Sequence, residues 1–159
     1  GLQGKIPYRM DKRIREWCFG SFDGAYDGDL FMGLIPRIFN VDHVHQLSYA
    51  ELAEGLVEVD TAGWAEGWEK LSGRIKEGFE TIAKEMEEQG GGNALVVSHG
   101  MTIGTIVYLI NGMHPHGLDN GSVTILEYED GQFSVEVVGD RSYRELGREK
   151  MEEPSIQSK

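Results

Sequence analysis

The stretch Ala94–Ile110, ALVVSHGMTIGTIVYLI, decides the fold class. A short apolar run over 94–98 reaches a Ser-His-Gly junction at 98–100, and a second apolar run follows at once. The first run lies between glycine-rich loops, which is typical of a strand covered on both faces in a parallel sheet. The second is apolar nearly all round and stops at the Asn-Gly pair 111–112, which predicts a buried helix over 101–110.

A long amphipathic helix is predicted before this strand, over 64–86. Apolar residues recur there at spacings of three and four, and the sequence QGGGN at 89–93 ends the helix. Trp64 lies on this apolar stripe and is expected in the core. The opposite face is charged, carries Glu66 and Arg74 among other residues, and is expected to be solvated.

The remaining elements complete an α/β pattern. Ser48 is placed to cap a short helix, the Gly- and Asp-rich sequence 19–33 predicts a loop, and alternation around Asp-Gly at 130–131 predicts a hairpin. Helix, buried strand, helix and hairpin predict a three-layer α/β/α sandwich built on a mostly parallel sheet. We expect one domain over 1–147 and a charged tail over 148–159.

Composition narrows the class of partner. The chain has 159 residues and a formal net charge of −12, which disfavours nucleic acid and anionic membranes as main partners because both would be repelled. Cys18 is its one cysteine, so no disulfide can form within the chain. The first residues have no apolar core of a signal peptide, and no apolar stretch is long enough to span a bilayer. These features predict a cytoplasmic protein.

The Ser-His-Gly junction predicts a site for an anion. Ligands bind where a parallel strand ends and a helix begins, because the first N–H groups of the helix are free and its dipole is positive there. Gly100 lets the backbone approach a ligand, and His99 adds a donor or a cation. Three interpretations remain open: a structural histidine, a serine nucleophile, and a phosphohydrolase histidine. The serine elbow is disfavoured because Val96 stands where that motif has glycine.

Three motifs resemble one known family. VVSHGMTI at 96–103 resembles the second histidine motif of the histidine phosphatase superfamily, whose members are phosphoglycerate mutase-like proteins. IREWCFGSFDG at 14–24 resembles the L-R-E-x-x-F-G-x-W-E-G segment of that family, and the sequence 120–143 is similar to its terminal hairpin. Tyr143 stands where many members have histidine. The three motifs occur in the family's order and cover most of the chain.

The resemblance implies a mechanism without metal or cofactor. In that family a histidine of an R-H-G motif takes the phosphoryl group of a small phosphorylated substrate. Two arginines and a second histidine hold the phosphoryl oxygens, and a carboxylic acid protonates the leaving oxygen. Carried onto this chain, His99 with Gly100 becomes the phosphate-binding second histidine motif, and Glu16 becomes the proton donor.

The sequence departs from the family at its start. No R-H-G motif occurs in the 159 residues, and the S-x-x-x-R motif that supplies the second arginine is absent as well. We therefore expect a fold that is incomplete at the N-terminus, with apolar faces and an unpaired strand edge exposed unless another chain covers them. A second copy of this chain is one candidate, which would make a homodimer.

Two histidine pairs are candidates for metal binding. His43 and His45, like His114 and His116, lie two residues apart, but the sequence shows no third ligand, so no metal site is expected. The resemblance implies a phosphatase acting on a small phosphomonoester, with the nucleophilic histidine missing from this chain. The alternatives are a non-catalytic module that binds phosphate or another chain, and a phosphotransferase of the phosphoglycerate mutase type.

Overall fold

The structure is a computed structural model and describes residues 7–115 and 117–152. Its longer elements are, in chain order, α1 (Ile35–Phe39), α2 (Tyr49–Val59), α3 (Trp68–Glu88), α4 (Gly100–Asn111), β1 (Val123–Glu129), β2 (Gln132–Asp140) and α5 (Ser142–Glu152). Ser48 caps α2 as predicted, because its hydroxyl accepts the N–H of Glu51. Among the described helices, none is long and apolar enough to cross a bilayer.

The core lies where α2, α3 and α4 pack together. Apolar side chains at helical spacing fill it, and the most buried are Ala53, Leu56, Leu71, Ile75, Ile106 and Val107. The long helix and the helix after the Ser-His-Gly junction are therefore confirmed. Helix α4 ends as predicted, because Gly112 adopts the left-handed conformation that favours glycine.

Trp64 does not belong to the core. Its side chain is 70% exposed, and α3 begins at Trp68, so the predicted start at residue 64 is wrong. The physical reason is Asp60, whose carboxylate accepts the N–H groups of Ala62, Trp64 and Ala65 at 2.5–2.9 Å. These bonds hold the chain in a turn around Asp60, which is incompatible with helix there.

Asp60 also binds the loop that follows Trp17. Its Oδ1 accepts the N–H of Ser21 at 2.7 Å, and a Cβ at Gly20 would overlap its carboxylate. Gly20 has φ +60°, so glycine is required there on both counts. The N–H of Ala65, followed by those of Ser21 and other residues, holds the pKa of Asp60 well below its ordinary value of 3.8.

Asp60 is expected to make stability depend on pH in acid. Since the pKa of Asp60 is lowered on folding, the ionised carboxylate stabilises the native state above the unfolded pKa. That stabilisation is lost as pH falls below about 4 towards the folded pKa. We expect Asp60→Asn to lower the melting temperature at neutral pH and to flatten its dependence on acid pH, measured by calorimetry. Asp130→Asn, in the exposed hairpin turn, is the control, and an unchanged acid dependence in Asp60→Asn would contradict this account.

The segment 94–98 is covered on one side only, where Val96 packs against the core. Leu95 and Val97 are 74% and 84% exposed, and this segment pairs with no strand within the described part of the chain. Cover on both faces therefore remains a prediction. Strands β1 and β2 form the predicted antiparallel hairpin, whose turn has positive φ at both Asp130 and Gly131. This is the one sheet within 7–115 and 117–152, and the mostly parallel sheet remains a prediction.

The segment 19–33 is more helical than expected. Within 19–33 the structure has a 3₁₀ turn at Gly20–Phe22 and a π-helical segment at Asp29–Leu34 that leads into α1. A purely loop structure there is wrong, because burial of Leu30 in the core favours a helical path. Helix α5 runs through the expected boundary between residues 147 and 148, and residues 153–159 lie outside the described residues.

Candidate active site

The chain before Trp17 lies against the start of α4. The hydroxyl of Ser98 donates to the carbonyl oxygen of Ile14 at 2.7 Å, and that of Thr102 donates to the carbonyl oxygen of Arg15 at 2.7 Å. These bonds join two segments that are more than 80 residues apart in sequence. They bring Glu16 to the beginning of the helix that follows His99.

The carboxylate of Glu16 caps α4. Its Oε1 accepts the N–H of Thr102 at 3.0 Å and its own neighbour's N–H, that of Trp17, at 3.0 Å. Its Oε2 accepts the N–H of Met101 at 3.2 Å. These are first-turn donors without a partner inside the helix, and a negative charge there is favoured by the helix dipole. From the sequence, we expected the first N–H groups of α4 to bind a substrate anion. Two of them, those of Met101 and Thr102, bind the carboxylate of Glu16 instead.

His99 and Gly100 remain open beside this carboxylate. His99 has extended backbone at the N-cap of α4, is exposed, and its carbonyl oxygen accepts the N–H of Ile103 at 2.9 Å. Its imidazole makes no hydrogen bond within residues 7–115 and 117–152. Gly100 has open space where a Cβ would stand. We call Glu16, His99 and Gly100 the acid–histidine cluster, and chemically it offers a carboxylate, an imidazole and an open backbone at one helix start.

The arginines of this region bind carboxylates instead of facing the cluster. Arg13 pairs with Asp11 at 2.6 Å, and Arg15 and Arg74 both pair with Glu66, at 2.6 and 2.8 Å. The hydrogen bonds from Arg13 to Asp11 lower the pKa of that carboxyl to about 2. Each of these three arginines is thus paired with a carboxylate in this structure.

The predicted exposure of Glu66 and Arg74 is wrong. They were expected on a solvated face, yet the side chain of Glu66 is 2% exposed and that of Arg74 is 10% exposed. The two side chains pair with each other near the start of α3. Their remaining hydrogen-bond partners belong to the segment before Trp17. No local pattern could reveal that contact.

An aromatic cluster adjoins Glu16. The ring of Tyr49 is buried, stacks on His114 at 4.6 Å between centroids, and donates its hydroxyl to the carbonyl oxygen of Pro115 at 3.3 Å. Burial and, second, the negative charge of Glu16 raise the pKa of Tyr49 to about 12. Tyr49 therefore stays a neutral donor in the physiological range.

The histidine pairs form no metal centre in the described structure. His43 and His45 lie at a short 3₁₀ turn, Val44–Gln46, and His116 is outside the described residues. Within residues 7–115 and 117–152, no three histidine, cysteine or carboxylate side chains are grouped so that they could hold a metal ion.

Comparison with known proteins agrees with the motif order. Residues 1–141 match the family model of the histidine phosphatase superfamily (branch 1). A crystal structure of phosphoglycerate mutase from Bacillus anthracis str. Sterne is similar, with a TM-score of 0.85 and 34% sequence identity. The match covers 92% of this chain and 66% of that chain, so this chain spans just under two thirds of that mutase. No curated protein sequence matches the chain at a significant level. The structural likeness shows a phosphoglycerate mutase-like fold over the matched region.

Proposed function

The chain belongs to the histidine phosphatase superfamily, and on that premise we propose that it hydrolyses a small phosphomonoester through a phosphohistidine intermediate. The observation that carries the proposal is the capping by Glu16 of α4, the helix whose N-cap residue is His99. An acid and a phosphate-binding histidine are needed on the same side of a reacting phosphoryl group, and this cluster supplies both.

In the proposed reaction His99 and the N–H of Gly100 bind the phosphoryl oxygens. A nitrogen of a second histidine, outside these 159 residues, attacks phosphorus, the bond to the ester oxygen breaks, and Glu16 in its protonated form gives that oxygen its proton. Water then attacks the phosphohistidine, the phosphorus–nitrogen bond breaks, Glu16 takes the proton from water, and inorganic phosphate leaves. Oε2 of Glu16 accepts one N–H whereas Oε1 accepts two, so Oε2 is the oxygen with free lone pairs for this transfer.

The proposal needs a nucleophile from outside these 159 residues, because the family's R-H-G motif does not occur among them. It includes a mostly parallel sheet in a three-layer sandwich, with 94–98 as an inner strand and the nucleophile on a neighbouring strand. The exposure of Leu95 and Val97 supports this, since an extended apolar segment is stable in water only when it is covered. The exposure of His99 and Gly100 in the acid–histidine cluster agrees with the same proposal, because the neighbouring strand would cover them.

His99→Ala tests the proposal in the complete protein. We expect hydrolysis of an aryl phosphate to fall about 10²–10³-fold, because one donor to the charge that develops on the phosphoryl oxygens is lost. The rate of the unmodified protein should be unchanged by EDTA, since no step uses a metal. His43→Ala, at an exposed turn, is the matched control. Abolition of activity by EDTA, or equal rates in His99→Ala and the control, would overturn the proposal.

A phosphotransferase is the second candidate, and the similarity to phosphoglycerate mutase favours it. A mutase would return the phosphoryl group to a hydroxyl of the substrate instead of to water. The product distinguishes the two: a phosphatase releases inorganic phosphate, whereas a mutase yields an isomeric phosphoester. Phosphorus NMR of a reaction with a phosphorylated hydroxy acid reports both products at once.

A non-catalytic module is the alternative from another class. The use of two α4 N–H groups by Glu16 favours it, because they are withdrawn from a ligand. Such a module would bind another chain or phosphate without turnover. It would show no hydrolysis in the complete protein and no difference between His99→Ala and its control.

A further inference from the structure

We propose that Arg74, fixed by Glu66, is a positioning residue that sets the place of Glu16 at the start of α4. The role of Glu16 as an acid rests on the proposed function, whereas its positioning rests on the geometry of Arg74. Neither residue belongs to the acid–histidine cluster, and both act from α3 and the turn just before it.

The guanidinium of Arg74 donates four hydrogen bonds. Its NH1 group donates to the carbonyl oxygens of Arg13 at 2.8 Å and Arg15 at 3.0 Å, and its NH2 group donates to that of Glu16 at 3.0 Å. Its Nε and NH2 both reach Oε2 of Glu66, at 2.9 and 2.8 Å. An arginine has five N–H donors in one plane, and four of those of Arg74 are satisfied by a single chain segment and one carboxylate.

Glu66 keeps Arg74 in this orientation. Its carboxylate is almost fully buried, and its second oxygen, Oε1, accepts from NH2 of Arg15 at 2.6 Å. A buried carboxylate needs such partners, because an unpaired charge inside a protein is strongly unfavourable. The Glu66–Arg74 pair at the start of α3 therefore holds three backbone carbonyl groups, those of Arg13, Arg15 and Glu16.

Glu16 is thus held by hydrogen bonds both at its main-chain carbonyl group and at its side-chain carboxylate. Arg74 binds its carbonyl oxygen, and the N–H groups of Met101 and Thr102 bind its carboxylate. These hydrogen bonds come from two different helices, α3 and α4, and Glu16 connects them. If the backbone before Trp17 moves, the carboxylate can no longer reach both N–H groups. A lysine cannot replace Arg74, because an ammonium is a point charge with three donors and no planar fork.

Amide hydrogen exchange tests the positioning without any need for catalysis. The N–H groups of Met101 and Thr102 have no partner inside α4, so their protection reports the place of the Glu16 carboxylate. We expect both Arg74→Lys and Arg74→Met to speed exchange at these two amides by at least about tenfold relative to the amide of Ile106. Arg9→Met is the matched control, since Arg9 also pairs with a carboxylate on α3, Glu85, but in an exposed place.

Two results would overturn the inference. One is unchanged exchange at Met101 and Thr102 in both variants; the other is equal acceleration at Ile106, which would mean that Arg74 supports the fold in general. A kinetic measurement separates this from the proposed function. Where the complete protein is active, both Arg74 variants should slow hydrolysis of an alkyl phosphate more than that of a nitrophenyl phosphate, as Glu16→Gln does. Faster amide exchange at Met101 and Thr102, with the alkyl and nitrophenyl phosphates slowed equally in every variant, would contradict Glu16 as the acid. The positioning of Glu16 by Arg74 would still stand.

Discussion

Replacement of Glu16 by glutamine is expected to slow hydrolysis of an alkyl phosphate by about 10²–10⁴-fold in the complete protein. Glutamine has the same shape and its carbonyl oxygen can still accept the N–H of Thr102, so the start of α4 keeps its cap. It has no proton to give to the leaving oxygen. An alkoxide is a poor leaving group and needs that proton, whereas a nitrophenolate leaves without it, so the aryl substrate should be affected much less.

The comparison of the two substrates separates chemistry from folding. A partly unfolded variant loses both activities in the same ratio, whereas a missing acid changes their ratio. Glu127→Gln, an exposed carboxylate on β1, is the control and should change neither rate. Equal losses for the alkyl and aryl phosphates in Glu16→Gln would refute the role of Glu16 as proton donor.

Glu66→Ala is expected to destabilise the protein by about 3–5 kcal/mol, the largest stability effect in this account. The side chain of Glu66 is 2% exposed and neutralises Arg74, which is itself 10% exposed, so removal of the carboxylate leaves a buried guanidinium unpaired. Arg15, with 47% of its side chain exposed, can turn to water and contributes less to the loss. Urea unfolding followed by circular dichroism measures the effect.

The matched control for Glu66 lies on the same helix. Glu80 pairs with Lys76 and Lys84 at 3.8 and 3.6 Å on the surface of α3, and such exposed pairs contribute less than about 1 kcal/mol. Glu80→Ala should therefore leave stability almost unchanged. A loss in Glu66→Ala no larger than that in Glu80→Ala would show that the buried pair does not stabilise the fold.

Features written in local sequence were predicted well. The spacing of apolar residues gave α3 and α4, the Ser48 capping position gave α2, and the turn at Asp130-Gly131 gave the hairpin. Each depends on residues within a few positions of one another. The three family motifs likewise identified the superfamily, which is confirmed.

Features that depend on remote contacts were not predictable. Trp64 fits the apolar period of α3, but Asp60 captures its N–H and ends the pattern before the helix begins. Glu66 and Arg74 have the spacing of a solvated face, and only the arrival of the chain before Trp17 buries them. The helix start after His99 was expected to be free, and its occupant, Glu16, comes from the far end of the chain.

The most direct test of the central claim is to trap the phosphorylated protein. The complete natural protein is mixed with an aryl phosphate, quenched in alkali, and its intact mass and phosphorylated peptide are determined. We expect a gain of one phosphoryl group, labile to acid, on a histidine outside these 159 residues, with its formation slowed in His99→Ala. A protein that gains no phosphoryl group, or gains it on His99 or on a serine, would contradict the account.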